Sequence, residues 1–133
     1  MKEKITVFGS FVVDLMGRTP HLPKPAETVK GSLFKQGAGG KGFNQAIAAH
    51  KAGGDVAMAT KLGRDSMALV ATDAMDLVGM SKDYLFYNQD AHTGIALIMV
   101  DENTSQNMIV IVPGACATIT EQDIASVEER IKE

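Results

Sequence analysis

The segment Gly37-Ala38-Gly39-Gly40-Lys41-Gly42 has four glycines in six residues and runs directly into the helix-forming stretch 43–52. Glycine allows backbone conformations and close approaches that other residues resist. Residues 43–52 have good helix propensity, and Gly53-Gly54 provide a stop signal behind them. The pattern predicts a glycine loop that enters a helix, with the unpaired N–H groups of the first helical turn beside the loop.

Short β-rich runs alternate with helical patterns along the rest of the chain. Strands are expected at 5–8, 11–15, 28–36, 56–60 and 84–87, a hairpin at 93–100 and 107–112, and helices at 43–52, about 67–78 and from 121 onward. Asp65 or Ser66 is expected to cap the second helix. This order predicts an α/β fold, with a parallel sheet flanked by helices and a small separate β element.

The last expected helix places Ile124, Val127 and Ile131 on one face, and no strand pattern follows it. In a parallel sheet, such a crossover helix normally leads to another strand. The order of elements therefore predicts a truncated domain.

Composition narrows the possible partners and location. The chain has 133 residues, a net charge of −3 and a pI of about 5.6, which argues against a nucleic-acid partner. Cys116 is the one cysteine, which fits a reducing cytoplasm. Neither a signal peptide nor an apolar run long enough for a bilayer is visible, so a soluble cytoplasmic protein without a membrane partner is expected.

Two nucleotide-binding interpretations of the glycine segment fail on spacing. It fits G-x-G-x-x-G, but it comes late in the chain, and the acidic residue in register, Asp65, lies at a helix start. A Walker A loop needs Ser or Thr after its Lys, whereas Gly42 follows Lys41. The chemistry of the segment alone leaves two alternatives for its role, which are about equally favoured. It binds a hydroxyl-rich ligand together with Lys41 and Asn44, or it is a turn that binds no ligand.

A longer sequence pattern favours the first alternative, a ligand-binding segment. The run from Gly39 to Ala46, followed by Gly53 and Gly63, resembles the first signature of the ribokinase (PfkB) carbohydrate kinase family. Further family-like pieces occur in order along essentially the whole chain: Gly9-Ser10 with Asp14, Pro25-Ala26-Glu27-Thr28, Leu62-Gly63-Arg64-Asp65, Thr93-Gly94-Ile95-Ala96 and Gly114-Ala115-Cys116.

The resemblance implies the N-terminal portion of a ribokinase-like α/β fold, with a β-sheet lid formed by residues of about 12–36 and 93–112. It implies ATP-dependent phosphorylation of a sugar hydroxyl, on a ribose-like pentose, and a homodimer through the lid. ATP, Mg²⁺ and a monovalent cation such as K⁺ are implied as well. The family's late Asp-Thr-x-Gly-Ala-Gly-Asp motif is absent from this sequence, so no catalytic, nucleotide-binding or metal-binding residue is expected in this chain.

The resemblance also assigns the small-molecule sugar to particular residues. Asp14, expected near the end of the first strand, would accept bonds from sugar hydroxyls. Gly39, Gly40 and Lys41 would line the sugar, and Asn44 would bond another hydroxyl. Family members usually have Asn two residues before the Asp, and Val12 stands there, so one sugar hydrogen bond is lost. The alternative function is a catalytically inactive short module that binds a sugar or only dimerises.

Overall fold

The computed structural model describes residues 4–132 and contains two sheets and three α-helices. The strands are β1 (Lys4–Phe8), β2 (Val12–Thr19), β3 (Leu33–Gly39), β4 (Asp55–Gly63), β5 (Leu85–Asn88), β6 (Ile95–Asp101) and β7 (Asn107–Val112). The helices are α1 (Lys41–Lys51), α2 (Ala68–Val78) and α3 (Glu121–Lys132), and a 3-10 turn covers Gly114–Thr118. The expected α/β class, with a parallel sheet and a separate β element, is confirmed.

The parallel sheet has the order β1-β4-β5, with β4 in the centre. After Asp55, every residue of β4 is buried, because neighbouring strands flank β4 and the rest of the chain covers its faces. A strand buried on both faces favours a mostly apolar sequence. Met58 and Leu62 lie in the core cluster with Phe11 and Phe43. The rings of these two phenylalanines meet edge to face, with centroids 5.0 Å apart, a favourable aromatic geometry.

The second sheet has the order β3-β2-β6-β7. β6 and β7 form the expected hairpin, while β2 pairs with β6 in parallel and with β3 in antiparallel orientation. Phe11 and Val13 belong to the core cluster, whereas Val12 and Asp14 do not. Because side chains alternate along a strand, β2 presents Asp14 on the face opposite to the core.

Several boundaries differ from the sequence prediction, and two of these differences lie beside the start of α1. The glycine loop is wrong in extent, because Gly37 and Gly39 are paired with Asp14 and Val12 inside the second sheet. Only Gly40, with φ of +98°, turns the chain into α1. The extended segment expected at 28–36 becomes strand only from Leu33, where the hydrogen-bonded ladder to β2 begins.

The last helix forms where it was expected, but its apolar face is only partly covered. Val127 is fully buried, while Ile124 and Ile131 are 52% and 60% exposed. Asp123 forms an ion pair with the buried Lys61 of β4 at 2.7 Å, which fixes the first turn of α3 to the parallel sheet. Within residues 4–132, no helix combines the length and the apolar character needed to cross a bilayer.

Asp65 joins the two sheets through a partly buried hydrogen-bond network. Its Oδ1 accepts from the Ala68 amide at 3.1 Å, and so caps α2 as expected, and from the Thr93 hydroxyl at 2.7 Å. Its Oδ2 accepts from the Thr93 amide at 2.7 Å, and the Thr93 hydroxyl accepts from the Gly63 amide. Burial alone would raise the pKa of Asp65, but the bonds from Thr93 and Ala68 outweigh it and lower that pKa.

We expect Asp65→Asn to lower the free energy of unfolding by about 2 kcal/mol at neutral pH, because hydrogen bonds to a charged acceptor are lost. A carboxyl with a lowered folded-state pKa stabilises the protein above the unfolded-state pKa, and this contribution disappears as the pH falls through the folded-state pKa. The difference between wild type and Asp65→Asn, measured by urea unfolding, should therefore shrink below about pH 4.

Asp73→Asn is the matched control, because Asp73 is an exposed acid on α2. Its effect should stay within about 0.5 kcal/mol. Equal unfolding free energies for wild type and Asp65→Asn at pH 7 would contradict the proposed weight of the network.

Candidate functional site

The turn between β1 and β2 lies directly against the first turn of α1. A Cβ atom added at Gly42 would be 2.8 Å from the Gly9 Cα, and one added at Gly9 would be 2.9 Å from the Gly42 Cα. The Phe43 amide donates to the Ser10 carbonyl at 3.1 Å. Only glycine allows such a backbone approach, so the two glycines place the N-terminus of α1 beside the start of β2.

Asp14 lies on β2 of the second sheet, so its expected position near the end of the first strand is wrong. The chain leaves the parallel sheet at Gly9-Ser10, and the Val13 amide then donates to the Gly94 carbonyl at 2.8 Å. In the second sheet, Asp14 is flanked by Gly37 on β3 and Ala96 on β6. Two small neighbours leave the carboxylate accessible from the open face of the sheet.

The carboxylate of Asp14 is half-buried and makes no hydrogen bond to another residue in the described range 4–132. Burial raises its pKa above the ordinary value for aspartate, because the charged form loses solvation without gaining a partner. Polar groups in such surroundings normally have partners. An unpartnered, partly desolvated carboxylate is therefore suited to an external hydrogen-bond donor.

Gly39 and Gly40 shape the wall around this carboxylate. A Cβ atom at Gly39 would lie 2.5 Å from both carboxylate oxygens of Asp14, and one at Gly40 would lie 2.6 Å from the Ser10 carbonyl oxygen. Gly40 also has a positive φ, which other residues rarely adopt. Gly40 therefore requires glycine because of the neighbouring backbone and its own conformation, whereas a side chain at Gly39 would displace the carboxylate of Asp14.

An open cavity of about 460 Å³ brings most of the expected residues together. Asp14, Gly40, Lys41 and Asn44 line it, whereas Gly39 lies behind the carboxylate of Asp14 and does not line it. Lys41 and Asn44 come from the first turn of α1, and both side chains are exposed. The size is that of a small-molecule site, and its carboxylate, ammonium and amide groups can all bond hydroxyls.

The apolar side of this cavity was not predicted from the sequence. It consists of hydrocarbon side chains on the second sheet, together with Pro113: Val12, Ala96, Ile98, Ile109 and Ile111. The strand register is the feature that identifies these residues, since Asp14 pairs with Ala96 and Ala96 pairs with Ile111. Residues in register share a face of a sheet, but that register depends on the tertiary pairing of β2 with β6.

Cys116 also lines the cavity, and its thiol is already engaged. Its Sγ lies 3.1 Å from the Phe11 carbonyl oxygen and 3.4 Å from the Lys61 carbonyl oxygen. Within residues 4–132, no group of three or more His, Cys, Asp or Glu side chains could hold a metal ion. The polar side chains that line the cavity, those of Asp14, Lys41 and Asn44, carry groups that can bind and orient a ligand.

Comparison with known proteins agrees with this geometry. The chain matches the pfkB family of carbohydrate kinases over residues 2–133. It is 38% identical to a ribokinase of Mus musculus over 131 residues, which is 96% of this chain and 40% of that protein. It is also 38% identical to a deoxyribokinase of Salmonella typhi over 128 residues, which is 96% of this chain and 42% of that protein.

A solved structure shows the same arrangement of elements. The ribokinase of Arabidopsis thaliana, complexed with ribose and ATP, superposes with a TM-score of 0.76 at 32% identity, covering 86% of this chain and 37% of that one. The chain thus spans about two fifths of the length of these relatives. The family match over residues 2–133, the fold and the glycine-lined cavity together show that the chain belongs to the PfkB family of carbohydrate kinases.

Proposed function

We propose that this chain is the sugar-binding part of an ATP-dependent kinase that phosphorylates a hydroxyl of a ribose-like pentose. The observation that carries the proposal is the Asp14 carboxylate, which has no hydrogen-bond partner among residues 4–132 and lies in a cavity together with Lys41 and Asn44. Relatives named as ribokinases, one of them complexed with ribose and ATP, support the choice of sugar and phosphoryl donor.

The proposed role of the cavity is to hold the sugar in one orientation. An ionised Asp14 accepts hydrogen bonds from two sugar hydroxyls, which are short and directional because the acceptor is charged. Asn44 offers both a donor and an acceptor to a further hydroxyl, and Lys41 offers donors. Catalysis of phosphoryl transfer depends largely on positioning and on charge stabilisation, and these residues serve the first of the two.

The second requirement is assigned to other parts of the kinase. We place the catalytic base, ATP, Mg²⁺ and a monovalent cation such as K⁺ in the region of the relatives that this chain does not match. Magnesium bound with ATP supplies charge neutralisation on the transferred phosphate. The single cysteine fits the reducing cytoplasm, where we place the protein.

We also propose that the second sheet is a lid over the sugar, built from residues of about 12–36 and 93–112. One face of this sheet, with Asp14 and Ala96, borders the cavity. A sheet closing over the cavity would exclude water, which protects the phosphoryl donor from hydrolysis.

The other face of the sheet supports a homodimer. Its outer part carries Phe34, Leu97, Met108 and Val110, which are 66%, 46%, 49% and 58% exposed. Leu97 and Val110 are register partners and so lie side by side. Adjacent exposed apolar side chains are typical of an interaction surface, and we propose a second copy of this chain as the partner.

Asp14→Asn tests the sugar site. Titration calorimetry with D-ribose at pH 7 should show an affinity at least about tenfold lower than wild type, because hydrogen bonds to a charged acceptor are lost. The affinity of the wild type should also fall as the pH decreases and Asp14 becomes protonated. Because burial raises the pKa of Asp14, this fall should begin at a higher pH than it would for an ordinary aspartate.

The stability of Asp14→Asn separates binding from folding. A carboxyl whose pKa is raised on folding costs stability as the pH rises from the unfolded-state pKa through the folded-state pKa, and the full cost is present at higher pH. Asp14→Asn should therefore be at least as stable as wild type at pH 7. Asp73→Asn, which changes an exposed acid on α2, should bind ribose like wild type. An unaltered affinity in Asp14→Asn would contradict the proposed site.

Val110→Asp tests the dimer. A charge in the apolar patch should shift sedimentation velocity from a dimer to a monomer, because a buried unpaired carboxylate opposes association. Leu69→Asp is the matched control, since Leu69 is 59% exposed on α2, outside the second sheet. A monomeric wild type, or a dimer that survives Val110→Asp, would rule out this interface.

A further inference from the structure

The polar groups around the cavity belong to two parts of the fold. Asp14 lies on the second sheet, whereas Lys41 and Asn44 lie on α1, which packs against the parallel sheet. The distance between these groups therefore depends on how the second sheet is oriented relative to the parallel sheet. A ligand that bonds both parts at once binds more tightly if this orientation is fixed beforehand.

The two sheets are joined by a closely packed junction at the start of β6. A Cβ atom added at Gly63, the last residue of β4, would lie 2.6 Å from the Thr93 amide nitrogen. One added at Gly94 would lie 2.7 Å from the Pro113 carbonyl oxygen and 3.0 Å from the Phe11 carbonyl oxygen. The segments that lead into β2, into β6 and out of β7 thus meet at this junction.

The side chain of Thr93 anchors the junction to the parallel sheet and to α2. It is fully buried, and its hydroxyl donates to Asp65 Oδ1 at 2.7 Å and accepts from the Gly63 amide at 3.0 Å. Asp65 in turn accepts from the Ala68 amide at the start of α2. The hydroxyl therefore bonds one residue of β4 and the cap of α2 at the same time.

The same junction holds the strand that carries Asp14. Gly94 follows Thr93 directly, and its carbonyl accepts from the Val13 amide at 2.8 Å. Val13 is fully buried in the core cluster and precedes Asp14 in β2, so its placement also places the neighbouring carboxylate. A continuous series of bonds leads from the start of α2 through Asp65, Thr93 and Gly94 to β2.

From this geometry we infer that Thr93, held by Asp65, is a positioning residue for the sugar site. Neither residue lines the cavity, and both act through the strand that carries Asp14. The inference rests on the proposed function and adds to it the means by which the second sheet is held at a fixed distance from α1. Without the Thr93 hydroxyl, the Asp65 carboxylate and the Gly63 amide would each lose a partner, and the junction would loosen.

Three variants test this role by titration calorimetry with D-ribose at pH 7. Thr93→Val keeps the shape of the side chain and replaces only the hydroxyl with a methyl group, so the affinity should fall about tenfold. Thr93→Ser keeps the hydroxyl and should bind nearly as tightly as wild type. Thr72→Val makes the same change on α2, where the hydroxyl donates to the Leu69 carbonyl, and should bind like wild type. Near-UV circular dichroism would establish that all three are folded.

Hydrogen exchange in the sugar-free protein tests the inference without a ligand. In Thr93→Val, exchange of the Val13 amide should accelerate about tenfold relative to the Met80 amide, because only the junction is loosened. The Met80 amide donates to the Met75 carbonyl at 2.9 Å behind α2, and it reports any general loss of stability.

Two results would overturn the inference while the proposed function stands. One is a wild type that binds ribose together with a folded Thr93→Val protein of equal affinity, or one whose loss Thr93→Ser does not restore. The other is equal acceleration of exchange at Val13 and Met80, because the hydroxyl would then support only overall stability. If the wild type binds no ribose, the proposed function fails, and exchange at Val13 alone decides whether Thr93 positions β2.

Discussion

The close backbone contact between Gly9 and Gly42 is the constraint on which the site depends. Any larger residue at either position would separate the β1–β2 turn from the first turn of α1. Lys41 and Asn44 belong to α1, whereas Asp14 belongs to β2. This separation would therefore move Lys41 and Asn44 away from Asp14. The cavity is therefore a consequence of backbone packing, and its polar side chains follow from that packing.

Asp14 shows the cost of such a site. Its carboxylate is partly desolvated and has no partner in the described part of the chain, and this raises its pKa. Asp65 is also shielded from water, but it gains bonds from Thr93 and Ala68, and its pKa is lowered. Burial of a carboxylate disfavours the charged form unless donors compensate. The contrast separates a carboxylate that stabilises the fold from one that is available to a ligand.

The two sheets have complementary roles. The parallel sheet supplies the core, with β4 buried between its neighbours. The second sheet leaves apolar side chains exposed on both faces, with Ile109 and Ile111 towards the cavity and Leu97 and Val110 on the other face. Exposed apolar surface is unfavourable in an isolated protein. The proposed sugar on one face and the proposed second copy on the other would remove this surface from water.

The sequence by itself determined the order of elements, the α/β class and most of the polar side of the site. Helical spacing, β-rich runs and glycine stops are local properties. Asp14, Gly40, Lys41 and Asn44 were assigned through the resemblance of their motifs to those of the PfkB family, and the structure places them around one cavity. Only the tertiary structure decided that Gly39 lies behind Asp14, and that Ile98, Ile109 and Ile111 face the same cavity. Those positions depend on the pairing of β2 with β6, which joins segments about eighty residues apart. Local propensity contains no information on such a register, because the register is set by the burial of one face of each strand against the rest of the fold.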